Sequence, residues 1–347
     1  MEPVLLGNSE ILSIHQPDGR ANPAPHITTL PPELLAEIFL NFLPRYPESP
    51  PCAGRLSPLL LCRICRQWRM VALSTPTLWR AISLDFLETD DLRIQKIELL
   101  ENWVSRSGNC PLSVSIRIAN PFHRLLDRLL HAVMTHCERW QHVTLYIPSS
   151  RMHLIQGEMP QLRNLNFGPI NSSTYGPFTL FDRAPQLRTL FLTNNFFASN
   201  FRLPWGQITH LESASFYEHE CLEILSEAAH LIRCSVTVYP DPPGVSVVEA
   251  TIPLRPHFCD LVLLVDDPED DWDCKILNRL TLPALRTLQV SELSVKLESL
   301  KAFMSRSQCT LLELRVTHAT LPESAFRDVL PIFGAIILEN ADFDADE

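Results

Sequence analysis

The first clear pattern in the chain is a run of apolar residues at helical spacing, directly after two prolines. Pro31 and Pro32 suit the first turn of a helix, where a missing N–H group has no partner to lose, and Pro44 ends the pattern. The apolar positions form one broad stripe of the predicted helix. They are Leu34, Leu35, Ile38, Phe39, Phe42 and Leu43. A helix of this kind either caps the core of the chain or docks into a partner.

A second helical pattern follows a proline-rich segment. Residues 44–58 contain repeated helix breakers and are predicted to form an exposed loop. The residues after them, LLLCRICRQWRMVALS, place apolar side chains on one face of a single helix. These are Leu61, Ile64 or Cys65, Trp68, and Val71 or Ala72. A turn at Pro76 then leads into a short strand, so the start of the chain is predicted to be a small helical module.

The remainder of the chain repeats the pattern apolar-x-x-apolar-x-apolar. It is clearest in the segments PQLRNLNF, PQLRTLFL and PALRTLQV, and successive copies begin 22, 25, 21, 23, 27, 27 and 26 residues apart. The first residues of the copies are Trp140, Leu162, Leu187, Ile208, Leu231, Phe258, Leu285 and Leu311. Weaker copies begin at Trp79 and Phe333, and Leu112–Ile118 alternates as one strand. Helix-like segments between the copies predict a short strand and a helix per repeat.

Such a unit cannot bury its apolar face alone, so neighbouring units must stack. The copy at Leu187 continues to Asn195 and Phe197, and in this it resembles the leucine-rich repeat. We therefore predict an α/β fold, in which a small N-terminal helical module precedes a curved leucine-rich-repeat-like solenoid of short parallel strands and helices. The alternative is an ordinary α/β sheet, whose strands are also short apolar runs. The near-constant spacing and the few glycines at strand ends favour the solenoid.

Alternate residues of each predicted strand point to opposite sides of the sheet. The apolar set, including Leu165 and Phe167, is predicted to face the core, and the polar set between them to line the concave surface. We take part of that surface as a candidate binding site for a protein, with the aromatic side chains as anchors. The candidates are Tyr146, Asn164, Asn166, Thr189, Phe191, Thr193, Gln289 and Arg315.

The N-terminal helical module resembles the F-box. The resemblance lies in the order Leu30-Pro31-x-Glu33-Leu34-Leu35-x-x-Ile38-Phe39, the proline-rich loop, the segment LCRICRQWR and then Thr77-Leu78-Trp79. It covers about fifty residues, and the later segment WVSRSGNCPLSVSI is similar to a form common among fungal F-box proteins. The loop of residues 44–58 is longer than the family's usual loop.

The resemblance implies a partner and a function. In F-box proteins the first helix inserts its apolar face into a Skp-type adaptor, which links the protein to a cullin in an SCF-type (cullin–RING) E3 ubiquitin ligase. The adaptor-binding residues would be Leu30, Pro31, Leu34, Leu35, Ile38, Phe39 and Leu43. The chain would then be a substrate-recognition subunit, not an enzyme, whose solenoid binds an unknown protein target. The alternatives are a non-catalytic interaction scaffold unconnected to ubiquitination and an unrecognised α/β enzyme.

Composition and charge narrow the function further. Apolar residues make up 46% of the chain, which is enough for a large core and too many for a disordered protein. The net charge of −11 argues against a nucleic-acid or anionic-membrane partner. No apolar run reaches the length of a membrane span. The chain contains no G-x-S-x-G, Walker A or G-x-G-x-x-G motif, so we expect no catalytic residue and no cofactor.

The cysteines and the acidic segments offer no convincing metal site. Ten cysteines, with no secretory segment at the start, predict reduced thiols in the cytoplasm, the nucleus or both. Cys62 and Cys65 form a lone C-x-x-C, which predicts buried thiols and not a zinc site. The segment Val265–Asp273 lacks the glycine and the glutamate of an EF-hand loop. We therefore expect no metal.

Four segments follow from these patterns. Residues 1–26 are predicted to be a disordered tail, residues 30–84 the F-box-like module, residues 85–340 the solenoid, and residues 341–347 an acidic tail that frays.

Overall fold

A large parallel β-sheet with helices packed against it forms most of the molecule, so the fold is mixed α/β. The structure is a computed structural model that describes residues 30–86, 94–118, 124–171, 178–193, 196–245, 252, 254–265, 272–327, 329 and 334–339. Both predicted tails and Asn195 lie outside the described residues, as does most of the acidic segment 265–273.

Thirteen strands are described, and eleven of them form the large sheet. In chain order the strands are β1 (Ala81–Phe86), β2 (Leu112–Ile118), β3 (Trp140–Ile147), β4 (Asn164–Pro169), β5 (Phe178–Thr179), β6 (Thr189–Leu192), β7 (Phe201–Arg202), β8 (His210–Tyr217), β9 (Arg233–Tyr239), β10 (Asp260–Leu264), β11 (Thr287–Ser291), β12 (Glu313–Thr317) and β13 (Ala335–Glu339). Strands β5 and β7 pair separately, and the other eleven follow one another across the sheet in chain order. Their pairings are all parallel.

The helices flank this sheet and precede it. In chain order they are α1 (Pro32–Phe42), α2 (Pro58–Ile64), α3 (Arg66–Leu73), α4 (Ile94–Arg106), α5 (Leu126–Met134), α6 (Glu218–Glu227), α7 (Ile276–Arg279), α8 (Leu297–Ser307) and α9 (Glu323–Arg327). We call α1, α2 and α3 together the helical module.

The repeat pattern predicts the strands of the large sheet, and this is confirmed. Each of the eight copies contains a strand, and the weaker segments at Trp79, Leu112 and Phe333 correspond to β1, β2 and β13, although Phe333 itself is outside the described residues. The first residue of every one of the eight copies is buried, with at most 1% of its surface exposed. These side chains pack into the core just before or at the start of each strand. Because each strand needs one, an apolar residue recurs at this position in every copy.

The prediction of one helix in every repeat is wrong. Between β3 and β8 the described connections contain short 3₁₀ turns and the strands β5 and β7, but no α-helix. Six prolines fall between the end of β3 and the start of β8, and proline removes the N–H group that continues a helix. Aromatic side chains fill the space there instead, since Phe167 packs edge-on against Phe181 and Phe201 at centroid distances of 5.3 and 5.8 Å.

The segment that was predicted to form one helix after the proline-rich loop forms two helices. The segment after the proline-rich loop breaks at Cys65, whose backbone is extended (φ −154°, ψ 172°), so that α2 ends at Ile64 and α3 begins at Arg66. The Cys65 sulfur accepts a hydrogen bond from the backbone N–H of Trp68 at 3.4 Å and caps α3. Cys62 and Cys65 are therefore half-buried and not buried as predicted, and Cys65 has a capping role.

Tryptophans join the helical module to the sheet. Trp68 packs against Phe39 of α1 with ring centroids 4.8 Å apart, and Trp79 packs edge-on against Trp103 of α4 at 4.9 Å. The indole N–H of Trp79 donates to the carbonyl of Ala72 at the end of α3. Buried apolar side chains form one continuous cluster from Leu35 to Val329, so the module shares a core with the sheet.

Candidate binding surfaces

The apolar stripe of α1 is divided between the core and the surface. Leu35, Phe39 and Leu43 are buried, with 0, 0 and 7% of their surface exposed. The predicted assignment of these three residues to adaptor binding is therefore corrected, because Trp68 and its neighbours in the chain already cover that side of the helix. Of the other residues assigned to the adaptor, Leu30 is half-buried and Pro31 is exposed.

The opposite side of the stripe is exposed to solvent in part. Leu34, Ile38 and Phe42 are 53, 44 and 43% exposed and recur every four residues, so they share one face of α1. We call these three residues the α1 patch. Phe42 was not among the predicted adaptor-binding residues, although its place in the helical period shows that it belongs to this face.

Exposed apolar side chains are concentrated in the helical module. Among the described residues, fourteen large hydrophobic side chains are exposed, and eight of them lie between Leu34 and Leu73. Besides the α1 patch these are Leu56, Leu60, Ile64, Met70 and Leu73. An apolar concentration of this kind marks a protein–protein or membrane interaction site more often than a free surface.

The second surface is the outward face of the large sheet. Alternation along the strands places polar side chains there and apolar side chains in the core, as predicted: in β4, Asn164 and Asn166 are half-buried, whereas Leu165 and Phe167 are fully buried. Parallel pairing aligns the outward residues of neighbouring strands into rows. One row runs across β1 to β8 as Ser83, Ser115, Thr144, Asn166, Phe191 and Glu212.

A groove of about 570 Å³ follows this row across β1 to β6. Its floor is formed by small hydroxyl and amide side chains with the 38%-exposed ring of Phe191 at one end. Its wall is the proline-rich loop, which contributes Pro47, Glu48 and Ser49. A second depression of about 420 Å³ continues on the far side of Phe191 and includes Tyr146, Thr193 and Glu212. We call the first of these the groove.

The proline-rich loop is largely exposed, as predicted, but it is also tied to the sheet. The Tyr46 hydroxyl donates a hydrogen bond to the Gln141 side chain at 2.9 Å, and the Ser113 hydroxyl donates to the carbonyl of Pro47 at 2.7 Å. The Tyr46 ring also meets His142 edge-on at 5.3 Å. The loop therefore packs against the first three strands, where it narrows the groove.

Tyr46 is held in a partly desolvated position at this junction. Burial raises the pKa of Tyr46 to about 12, against the opposing charges of Arg80 and Arg163. The Arg80 guanidinium lies over the Tyr46 ring at 4.1 Å. Burial lowers the pKa of His142, and the charge of Arg163 lowers it further. The corner between loop and sheet is thus locally basic in a chain with a net charge of −11.

The eight residues predicted to bind a protein target do not form one site. Six of them lie together on β3, on β4 and along β6, and the Tyr146 hydroxyl donates to the Asn166 side chain at 2.7 Å. Thr193 follows β6, and its hydroxyl is buried without a hydrogen-bond partner in the described residues. Gln289 and Arg315 lie side by side on β11 and β12, four or more strands away from β6.

Arg315 is also occupied by its own neighbours. Its guanidinium contacts Glu313 at 3.3 Å and Glu339 at 2.7 Å, and the hydrogen bonds that it donates to these carboxylates raise its pKa. The candidate set is therefore reduced to the six residues around the groove and the depression beside it.

The cysteines, candidate metal sites and candidate membrane spans within the described residues bear on other kinds of function. All ten cysteines are free thiols. No group of three or more His, Cys, Asp or Glu side chains in the described ranges is placed to hold a metal ion. Within the same ranges, no helix has the length and apolar character needed to cross a bilayer.

No protein-family model matches the sequence, and a search of curated proteins finds no significant match.

Proposed function

We propose that the chain is the substrate-recognition subunit of an SCF-type E3 ubiquitin ligase. In this proposal residues 30–84 are an F-box module that docks to a Skp-type adaptor, and the sheet belongs to a leucine-rich-repeat-like solenoid that binds the protein target. The observation that carries the proposal is the α1 patch, a row of three exposed apolar side chains on a helix whose other face is fully packed.

The geometry of the α1 patch suits a helix-in-groove contact. Side chains at positions i, i+4 and i+8 lie one above the other along a helix, and they can enter an apolar groove of a partner together. Each side chain is about half exposed, so its burial by a partner would contribute about half of the ~1.5–3 kcal/mol of a fully buried apolar side chain. Because Leu35 and Phe39 fix the helix to the core, the patch is presented in one orientation.

The outward face supplies a surface for a target at a fixed place relative to the α1 patch. Only four residues separate Phe42 from Pro47, which forms part of the groove wall. The bonds of Tyr46 and Pro47 to the sheet tie this connection to β2 and β3. A target in the groove would therefore be held close to the adaptor, and proximity is the mechanism of such a receptor. The chain itself performs no bond chemistry in this proposal.

The test is co-purification with a Skp-type adaptor. The change Leu34→Asp with Ile38→Asp should abolish binding, because burying two unpaired carboxylates costs several kcal/mol. Both side chains are exposed in the free chain, so folding should be retained, which circular dichroism would check. The matched control is Leu254→Asp with Leu312→Asp, since both of these leucines are 57% exposed and lie outside the module.

The proposal would fail if the wild-type chain did not co-purify with the adaptor, or if the α1 double variant and the control bound it equally well. A receptor is separated from a scaffold by comparing protein abundances with and without the chain. The receptor predicts at least one protein whose abundance rises when the chain is deleted and falls again when the wild-type chain, but not the α1 double variant, is restored.

A further inference from the structure

Arginines recur at one position of the repeat and lie along one rim of the large sheet. In PQLRNL and PQLRTL the arginine directly precedes the strand, which places Arg163 before β4 and Arg188 before β6. The backbone N–H of Arg188 donates to the carbonyl of Arg163 at 3.0 Å, so the two residues are neighbours on the rim. We call these two residues the arginine pair.

The arginine pair has no acidic partner among the described residues. Arg163 donates to the Gln186 side chain at 3.3 Å, and Arg188 donates to the carbonyls of Pro185 and Leu187. Each guanidinium carries five N–H donors, and these bonds use only a part of them. Both side chains are exposed.

Further along the same sheet, two arginines on the outward face are neutralised. Arg233 of β9 pairs with Asp260 of β10 at 2.6 Å, and Arg315 pairs with two glutamates. Arg286, which precedes β11, is exposed and has no acidic partner among the described residues, but β11 is four strands away from β6. The arginine pair is therefore the uncompensated positive charge beside the groove. Arg163 directly precedes Asn164, which lines the groove, and burial together with the charge of Arg163 lowers the pKa of His142 in the same lining.

The groove is lined by both apolar and polar groups, and Glu48 of the loop is the single carboxylate among the described residues that line it. Arg80 lies over the Tyr46 ring at this corner, Arg163 directly precedes Asn164 of the groove lining, and Arg188 neighbours Arg163 along the rim. The floor offers hydroxyl and amide groups that can exchange hydrogen bonds with an extended backbone, and Phe191 offers an apolar contact. Neighbouring parallel strands are about 4.8 Å apart, so a groove across β1 to β6 has room for an extended segment of several residues.

We propose that the groove and the arginine pair bind an extended segment of a partner protein that is rich in aspartate and glutamate. The inference rests on the proposed function in that this partner would be the target, and it names the target's chemistry. Arginine recognises carboxylates through paired N–H donors, which gives both charge and geometry. Because the chain as a whole has a net charge of −11, an acidic segment needs a local positive charge such as that of the arginine pair in order to bind.

The experiment measures binding of a short fluorescein-labelled oligoglutamate peptide to the full chain by fluorescence anisotropy. The wild-type chain should bind it, and the affinity should fall as salt is added. The change Arg163→Glu with Arg188→Glu should weaken binding by at least about tenfold, because two attractive contacts become repulsive. An oligolysine peptide of the same length should not bind at this site.

The matched control is Arg183→Glu with Arg202→Glu, which alters the net charge by the same amount. Both arginines are exposed. Arg202 follows Phe201, which packs against the buried ring of Phe167, so β7 lies on the side of the sheet away from the groove. Among the described residues, Arg183 forms an ion pair with the exposed Glu158 alone, and such a surface pair contributes little stability. This control should bind the oligoglutamate peptide as the wild-type chain does.

Three results would overturn the inference. The first is no binding of oligoglutamate by the wild-type chain, and the second is equal loss of binding in the arginine-pair variant and the control. The third is binding of a phosphoserine peptide alone, which would assign the site to phosphorylated and not to carboxylate-rich segments. Adaptor co-purification separates these failures from failure of the proposed function, because the arginine-pair variant leaves the α1 patch intact.

Discussion

At the scale of single residues, buried tryptophans differ in whether their indole N–H is satisfied. Trp79 and Trp140 are both fully buried, but the N–H of Trp79 donates to the carbonyl of Ala72 at 2.8 Å, whereas that of Trp140 has no partner in the described residues. The Ala72 carbonyl lies in the last turn of α3, where helix carbonyls lack intrahelical partners. Deleting the two N–H groups should therefore change the free energy of unfolding by unequal amounts.

We predict that Trp79→Phe lowers the free energy of unfolding by about 1–3 kcal/mol more than Trp140→Phe. Both changes remove the same volume, but only the first leaves a buried carbonyl unsatisfied. Urea unfolding of the two variants and the wild-type chain would measure the difference. Equal losses in the two variants would mean that the Ala72 bond contributes no net stability.

Gly168 of β4 is required by the close approach of Thr193. A Cβ atom at position 168 would lie 1.7 Å from the Thr193 hydroxyl oxygen and 2.7 Å from its Cβ atom. We predict that Gly168→Ala costs about 1–3 kcal/mol through overpacking, measured as a lower midpoint of urea unfolding. Gly206→Ala is the control, since its nearest neighbour would be a carbonyl at 3.8 Å. A neutral Gly168→Ala would show that Thr193 moves aside freely.

At the scale of elements, α6 begins with a buried glutamate. Glu218 accepts a hydrogen bond from the backbone N–H of Lys275 at 2.6 Å, and only 6% of its surface is exposed. Burial raises its pKa above the usual 4.5, the charge of Asp241 raises it further, and the hydrogen bonds from Lys275 and Trp272 oppose the shift. The native state thus holds the proton more tightly than the unfolded chain does, so this contribution to stability is complete below about pH 4.5 and is lost as the pH rises through the native pKa.

We predict that Glu218→Gln removes the loss of folding stability that Glu218 causes as the pH rises. The stability of the variant relative to the wild-type chain should therefore rise between pH 4.5 and neutral pH. Glu223→Gln, an exposed change on the same helix, should show no comparable trend. Urea midpoints at the two pH values give the result, and parallel pH profiles of wild type and Glu218→Gln would contradict the stated role of burial.

The helices, strands and loops of this chain could be predicted from the sequence to different extents. Periodicity identifies the strands, because each one buries alternate residues whatever its neighbours are. Periodicity also identifies the apolar stripe of α1, but it does not show which side of the stripe is buried. Phe39 is buried by Trp68, a residue of another helix, whereas Leu34 stays about half exposed. The position of the proline-rich loop was beyond prediction for the same reason, since Tyr46 is fixed by a bond to a residue 95 positions away.

The groove was predictable only in part. Strand alternation places Asn166 and Phe191 on the outward face, but the groove wall comes from the loop. The arginine pair is visible in the sequence as the recurring L-R-x-L, but the pattern does not show which arginine lies beside the groove. Arg163 directly precedes Asn164 of the groove lining, whereas Arg286, at the same position of another copy, precedes β11, four strands away from β6.

At the scale of the whole molecule, the sheet is a linear array. Every strand of the large sheet pairs only with its neighbours in chain order, so β1 and β13 are its two ends. In such an array each unit contributes its own stability and the contacts with adjacent units, and a local defect spreads only as far as those contacts carry it. The core is continuous, but most of its contacts are made between successive units.

Two buried aromatic side chains near opposite ends of the large sheet can be used to test whether a defect stays local. Phe303 of α8 lies between β11 and β12 in the chain, and Trp103 of α4 lies between β1 and β2; both are fully buried. Truncation of either to alanine removes about 3–5 kcal/mol of packing. Under native conditions, we predict that Phe303→Ala accelerates hydrogen exchange in β11 and β12 and leaves β1 and β2 unchanged, and that Trp103→Ala does the reverse. If both variants instead lowered protection evenly across all strands, the molecule would unfold as one cooperative unit, and the helical module could not loosen without the opposite end of the sheet.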